Sequence, residues 1–290
     1  MKSYYDIVGD GGSKILEQVG AQQGRIEESL ARVRHLVAIG SGKGGVGKST
    51  LTWQIAALLR GRGREVAVLG ADLNGPSQAR LAGVRSVPLV PDGGRVALPR
   101  NAAGIGVVSL GGVVPETEAV DFESVAEGSS HVWRATREFS FLGQLVGAVD
   151  WGEQDLLLVD LPPGAERTFQ YAQFLGAKAA FVLVTISSEL SRGVVSRSVA
   201  ALGKLHNRVP GYIENMSGYY CADCGKLQPL FPVSEAVELG LPCLGRVPFD
   251  PSLAEDCDRG IPIVDRPEGA AARALEEVAD RLLEVMERDG

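Results

Sequence analysis

Aromatic residues make up only 6% of the 290-residue chain, basic residues are outnumbered 29 to 36, and cysteine occurs four times. Each shortage excludes something. A net charge of −7 with few aromatics argues against a dedicated nucleic-acid binder, which needs a basic face or stacking platforms. Four cysteines in so long a chain are too few for a disulfide scaffold. The longest apolar run, around Ala177 to Ser187, falls short of the roughly 20 residues that span a bilayer. Met1 to Gly12 carries two acids and no apolar core of the signal-peptide kind. The expectation is a cytoplasmic protein with no membrane and no nucleic-acid partner. Its thiols are then metal ligands, redox groups or buried structural cysteines.

What is present points to a globular α/β protein. The apolar fraction of 45% excludes wholesale disorder, and the 37 glycines follow no collagen period, so they mark tight turns and close backbone approaches. Apolar runs suited to strands occur at His35–Gly40, Glu65–Leu69, Gly104–Leu110, Asp155–Asp160, Ala180–Val184, Val209–Ile213 and Cys243–Val247. Those at Asp155–Asp160 and Ala180–Val184 are almost wholly apolar, as central parallel strands covered on both faces should be. Helical patterns at Lys48–Leu59, Val132–Val149, Glu189–Leu205 and Arg273–Met286 separate most of them. Strands interleaved with helices predict a doubly wound, mostly parallel sheet flanked by helices. A flexible lead at Gly9–Gly12 precedes a polar helix at Ile15–Val33. Val87–Arg100 reads as a loop or small hairpin.

The segment Gly42-Lys43-Gly44-Gly45-Val46-Gly47-Lys48-Ser49-Thr50 lies between a strand and a helix and matches G-x-x-x-x-G-K-[ST]. Gly42, Gly44, Gly45 and Gly47 would let the backbone curl so that its N–H groups, with those of Val46 and Thr50, point at phosphate oxygens. The following helix presents its positive end to the same anion. Lys48 would reach the β- and γ-phosphates of ATP, and the Ser49 hydroxyl would ligate Mg2+. Asp160 ends an apolar strand and can hold Mg2+ through water. Asp72, in Gly70-Ala71-Asp72-Leu73-Asn74-Gly75-Pro76-Ser77, is a candidate to orient the attacking water or a magnesium-bound water. The chain thus divides into an N-terminal lead and helix, 1–34, and a P-loop ATPase domain, 35–290, with a Cys-x-x-Cys excursion at 219–232.

The loop from Lys43 to Ser49, with its extra lysine, resembles the deviant Walker A group of dimerising ATPases, which includes septum-positioning and partition ATPases and the nitrogenase iron protein. The resemblance implies that Lys43 reaches across a homodimer interface to the other subunit's nucleotide. Gly75-Pro76-Ser77, Asp160-Leu161-Pro162-Pro163-Gly164, Glu214-Asn215-Met216-Ser217-Gly218, Cys221-Ala222-Asp223-Cys224, Val247-Pro248-Phe249-Asp250 and Gly260-Ile261-Pro262-Ile263-Val264 occur in that order. Together they are similar to the Mrp/ApbC family of iron–sulfur cluster carrier ATPases over about Arg32 to Val264. That resemblance implies a [4Fe–4S] cluster on Cys221 and Cys224 at a dimer interface. It also implies Asn215 on the adenine edge and Pro248 against the base. Iron–sulfur apoproteins and cluster-assembly scaffold proteins would be the partners. Two thiols two residues apart are half of a four-thiolate site, which a symmetric dimer would complete. Zinc knuckles and thiol redox motifs share the same spacing. Cys243 and Cys257 read as buried or incidental thiols.

The chain departs from that family in places. Gly70 stands where the family has the first of two acids. Ala165-Glu166-Arg167 replaces Thr-Gly-Asp, and Thr185-Ile186-Ser187-Ser188 replaces a Thr-Thr-Pro-Gln-like segment. The glycine-rich stretch expected after the cysteines is shortened to Leu230-Phe231-Pro232-Val233. These changes bear on the hydrolysis rate and on how nucleotide state reaches the cluster. The rival expectation is a ParA/MinD-like positioning or regulatory ATPase with zinc or no metal at the cysteines. Such proteins need a basic patch or a membrane helix, and the acid-rich stretch from Arg273 to Gly290 offers no basic amphipathic stripe.

Overall fold

Strands form where the sequence is apolar on both faces, and the computed structural model describes residues 15–72, 77–84, 91–92, 95–109, 131–221, 224, 226–231 and 239–288. In chain order the strands are β1 (Val33–Ser41), β2 (Val66–Gly70), β3 (Pro91–Asp92), β4 (Arg95–Ala97), β5 (Gly106–Ser109) and β6 (Val149–Asp150). They continue with β7 (Gln154–Asp160), β8 (Ala179–Ile186), β9 (Gly211–Tyr220), β10 (Leu227–Gln228) and β11 (Cys243–Phe249). The helices are α1 (Ile15–Ser29), α2 (Lys48–Gly61), α3 (Ser77–Leu81), α4 (His131–Ala148), α5 (Ala165–Leu175), α6 (Glu189–Lys204), α7 (Pro251–Asp258) and α8 (Ala270–Arg288).

The main sheet has the order β10-β9-β8-β1-β7-β2-β5, with β11 also on β9, and only β10 is antiparallel. The expected mostly parallel, doubly wound sheet is therefore present. Side chains alternate across it with period two, as a pleated strand requires. Val37 and Ile39 of β1, Leu156 and Leu158 of β7, and Val182 and Val184 of β8 face one core with α2, α7 and α8. Leu36, Ala38, Leu157, Val159, Phe181 and Leu183 face the other core with α1, α4, α5 and α6. Covering both faces excludes water from the parallel ladder, whose backbone groups are paired within the sheet. The C-terminal ends of β1, β2 and β7 all open on one crevice, where such folds bind ligands.

Several differences from the sequence reading have local causes. The first helix ends at Ser29, not Val33, because Val33 already pairs with Gln154 in β1. The Ser29 hydroxyl donates to the carbonyls of Val146 (2.8 Å) and Val149 (2.7 Å), and Ile26 and Leu30 join the α4 side of the core, so α1 docks on its own chain. Within Val87–Arg100, β3 and β4 pair as a hairpin, and β4 adds to β6 in a small second sheet. Strand β9 runs seven residues beyond the expected Ile213. The lead at Gly9–Gly12, the turn at Gly75-Pro76, Leu110, and the residues Ala222, Asp223, Gly225, Pro232 and Val233 lie outside the described residues. Among the described residues, no helix is long and apolar enough to cross a membrane.

Candidate nucleotide site and cysteine hairpin

Strand β1 delivers the glycine-rich loop to the crevice, and α2 starts at Lys48. Its N-cap is Gly47, with φ +80° and no side chain to cap the helix. No acid lies in the first turn, so the free N–H groups and the positive helix end face a cavity of about 310 Å³. Lys43, Gly44, Gly45, Val46, Gly47, Lys48, Ser49, Thr50, Asp72 and Pro163 line it. Oxygen donors, two lysines and a helix N-terminus thus surround one anion-sized space.

The glycines are there for different reasons. Gly45 (φ +75°) and Gly47 occupy the left-handed region that disfavours side chains. A Cβ on Gly47 would also strike the Asn215 amide. Gly42 is glycine because α6 crowds it: a Cβ there would lie 2.5 Å from Val194 Cγ1. Gly44 has only Pro163 Cγ near it, at 3.9 Å, so the loop would accommodate a side chain there.

Buried charge holds the base of the cavity. Lys48, 7% exposed, is ion-paired through Nζ with Oδ1 of Asp160, which is 1% exposed. Asp160 ends β7, and its carbonyl accepts from the Ala71 amide at 2.9 Å, which ties the strand end to the segment bearing Asp72. The Gly164 amide donates to the Ser41 carbonyl at 2.8 Å, so the Pro162-Pro163-Gly164 turn is fastened to the root of the phosphate loop. Lys43 is exposed at the rim, and no partner for its ammonium is found among the described residues. No motif announced Gln78. It donates from Nε2 to Asp160 Oδ2 (2.8 Å) and to the Ser49 carbonyl (3.0 Å).

Asn215 sits in β9 with its amide donating to the Val46 carbonyl at 2.8 Å, and it is almost wholly buried. Pro248, also buried, lies in the neighbouring β11 between Val247 and Phe249, where the register with β9 shifts. In the structure, Asn215 therefore braces the phosphate loop from outside the cavity lining.

The departures at 165–167 also have a local structure. Ala165, Glu166 and Arg167 form the first turn of α5, and Arg167 pairs with Glu138 of α4 while stacking on Phe139 and Tyr171. The Tyr171 hydroxyl donates to the Ala71 carbonyl at 2.8 Å, and burial, reinforced by Glu138, pushes its ionisation upward. Thr185–Ser188 closes β8 and starts α6, where Ser188 accepts from the Ser191 amide.

Past Asn215, β9 parts from β8 but stays paired with β11 as far as Tyr219. Leu227 and Gln228 pair back on Tyr220 and Tyr219, and the Cys221 amide donates to the Lys226 carbonyl at 3.0 Å. Cys221 and Cys224 therefore sit at the tip of a projecting hairpin, half-buried and exposed respectively. Around them, Tyr219, Tyr220, Leu227 and Leu230 are exposed, with Leu227 at 57%. Among the described residues, no group of three or more metal-binding side chains forms within one chain. The other two thiols are elsewhere. Cys257 is buried, accepts from Gln54 Nε2 at 3.2 Å and has its pKa raised by burial. Cys243 is half-buried in β11.

Comparison with known proteins gives a consistent family. A family model described as ParA, NUBPL iron-transfer P-loop NTPase, matches residues 32–283. The iron-sulfur cluster carrier protein of Saccharolobus solfataricus is 32% identical over 280 residues, covering 94% of this chain and 91% of that protein. The human cytosolic Fe-S cluster assembly factor NUBP2 is 34% identical over 270 residues, covering 88% and 94%. Among solved structures, a nucleotide-binding protein from Archaeoglobus fulgidus in complex with ADP aligns with a TM-score of 0.69 at 28% identity, covering 86% of this chain and 94% of that one. The cell division ATPase MinD of Pyrococcus furiosus shares the fold, with a TM-score of 0.61 at 23% identity over 87% of this chain and 99% of its own. With a phosphate loop, a strand-end carboxylate and a match over nearly the whole folded body, the chain belongs to the ParA-type family of NUBPL iron-transfer P-loop NTPases.

Proposed function

We propose that the chain hydrolyses ATP, carries an iron–sulfur cluster between two copies of itself, and passes that cargo to apoproteins. The observation that carries this reading is a single strand. Near the middle of β9, Asn215 donates to the phosphate loop, and Cys221 follows directly on the strand's last residue. Any movement of the loop is thereby delivered along roughly 20 Å of strand to the root of the cysteine hairpin. One chain offers two soft thiolates, and two chains about a two-fold axis offer four, the complement of a [4Fe–4S] cluster. The exposed tyrosines and leucines around the pair suit burial against a second copy.

In this reading Lys48 exchanges Asp160 for the β- and γ-phosphates of ATP. Lys43 extends from the rim to the nucleotide of the partner subunit. Asp72 orients the attacking water, while Asn215 and Pro248 adjoin the adenine. Ser49 and Asp72 line one cavity, the Asp160 carboxylate lies behind it on Lys48, and such hard oxygen donors fit Mg2+. A bound Mg2+ would neutralise charge on the transferred phosphoryl group. Loss of the γ-phosphate would relax the segments at Asp72 and Pro162–Gly164, and so loosen the dimer's grip on its cargo. Cluster-assembly scaffold proteins would load the carrier, iron–sulfur apoproteins would unload it, and both exchanges fit a reducing cytoplasm.

Anaerobic reconstitution with iron and sulfide tests this, comparing wild type with a Cys221→Ala, Cys224→Ala variant. Wild type should bind about two iron atoms per chain, half of one four-iron cluster, with a mass twice that of the chain. If wild type binds no more iron than the variant, the carrier reading fails. Zinc held in place of iron would favour a positioning or regulatory ATPase.

A further inference from the structure

Gln78 is fully buried, polar, and belongs to no nucleotide-binding motif. Its amide nitrogen faces two acceptors at once, the Asp160 carboxylate and the Ser49 carbonyl. The opposite amide orientation would set its oxygen against both, so the donor assignment follows from the partners. Its oxygen is left buried and without a hydrogen-bond partner among the described residues, which is costly.

The surroundings are built around this side chain. Gly70, at the end of β2, has no room for a substituent. A Cβ there would lie 2.9 Å from Ser109 Oγ and 3.3 Å from Gln78 Cβ. Any side chain at position 70 would press on Ser109 and on Gln78, and glycine there leaves Gln78 seated against Asp160. Asp160 is consequently held by both oxygens, Oδ1 by Lys48 and Oδ2 by Gln78.

We propose that Gln78 is a positioning residue for magnesium–nucleotide binding. When Lys48 leaves Oδ1 for the phosphates, Gln78 keeps the carboxylate oriented through Oδ2. Being neutral, it does so without a second negative charge to compete for Lys48. The inference rests on the crevice being a magnesium–nucleotide site.

Calorimetric titration with ADP, in excess Mg2+ and in EDTA, separates the two ideas. The variants are Gln78→Met and Gln78→Leu, which roughly keep the volume and lose the amide without adding a charge. In wild type, Mg2+ should tighten ADP binding. In both variants that gain should shrink about tenfold, the scale of a hydrogen bond to a charged group, while affinity in EDTA stays within about twofold of wild type. EPR of Mn2+ in place of Mg2+ should show a matching loss of metal affinity. If wild type gains nothing from Mg2+, the reading of the site fails. If the variants keep the full gain, or lose affinity equally in EDTA, Gln78 only packs and the inference is overturned.

Discussion

The nucleotide crevice and the cysteine hairpin share β9 yet are built in opposite ways. In the crevice, functional groups are buried and tied from several elements. Lys48 and Asp160 come from α2 and β7, Gln78 from α3, and the bracing amide of Asn215 from β9. At the hairpin, two ladder pairs with β10, the β11 pairing at Tyr219 and one backbone hydrogen bond hold the tip, and the large side chains face solvent. Preorganised electrostatics need fixed dipoles and charges, and one chain builds the phosphate-loop base of the crevice by itself. In the proposed carrier, a site needing four thiolates cannot be completed by a chain offering two, so what binds the hairpin would supply most of its stability.

The contrast predicts unequal costs of mutation, and the largest lies at the buried ion pair. Asp160→Ala leaves Lys48 buried without its counter-charge, and should lower unfolding stability by roughly 3–5 kcal/mol. The doubly substituted Cys221→Ala, Cys224→Ala chain should shift it by no more than about 0.5 kcal/mol, as exposed positions usually do. Urea unfolding of both variants checks this. If the two costs proved equal, the crevice would not be prebuilt and the contrast would collapse.

A graded series within the phosphate loop sharpens the same point. Gly47→Ala combines left-handed strain with a clash against Asn215, and should cost about 2–4 kcal/mol. Gly45→Ala meets no atom within 4 Å and should cost only the strain, about 1–2 kcal/mol. Gly44→Ala should be almost neutral for stability, since its backbone is ordinary and its space is open. Thermal melts of the three chains without nucleotide rank them. A reversed order would show that the loop rearranges away from this geometry.

How much of this was legible in the sequence follows the same division. The central strands could be read because burial on both faces leaves an unbroken apolar run, as in Leu156–Val159. The phosphate loop could be read because its chemistry demands particular residue types at fixed spacing. Gln78 could not, since a glutamine in a short helix signals nothing until the fold sets it beside Asp160. Gly42 matched the motif, but its reason is packing against Val194, a contact between segments far apart in sequence. The β9 extension escapes the sequence because Glu214 to Tyr220 is half polar and breaks the apolar run, although it stays paired with β11. Met216 there takes φ +50°, a local break that no periodicity reveals. Local chemistry is written in local residues, whereas long-range support is not.

The smallest expected effect on folding is also the one that separates the two regions most cleanly. Tyr220 and Leu227 face each other across the hairpin ladder, 44% and 57% exposed, at the foot of the cysteine pair. Exposed apolar side chains contribute little to a monomer, so Tyr220→Ser with Leu227→Ser should alter its unfolding by about 0.5 kcal/mol or less. The crevice lies beyond their reach, so ADP affinity should be unchanged. Two copies meeting at the cysteines would bury all four side chains, and removing that area from an interface weakens association far more than folding. Sedimentation at a series of protein concentrations, with the cysteines intact and iron supplied, should show dissociation about tenfold or more easier than in wild type. If the double substitution lowers stability as much as Asp160→Ala while leaving the dimer intact, the hairpin is an ordinary part of the folded body and its exposed face has another purpose.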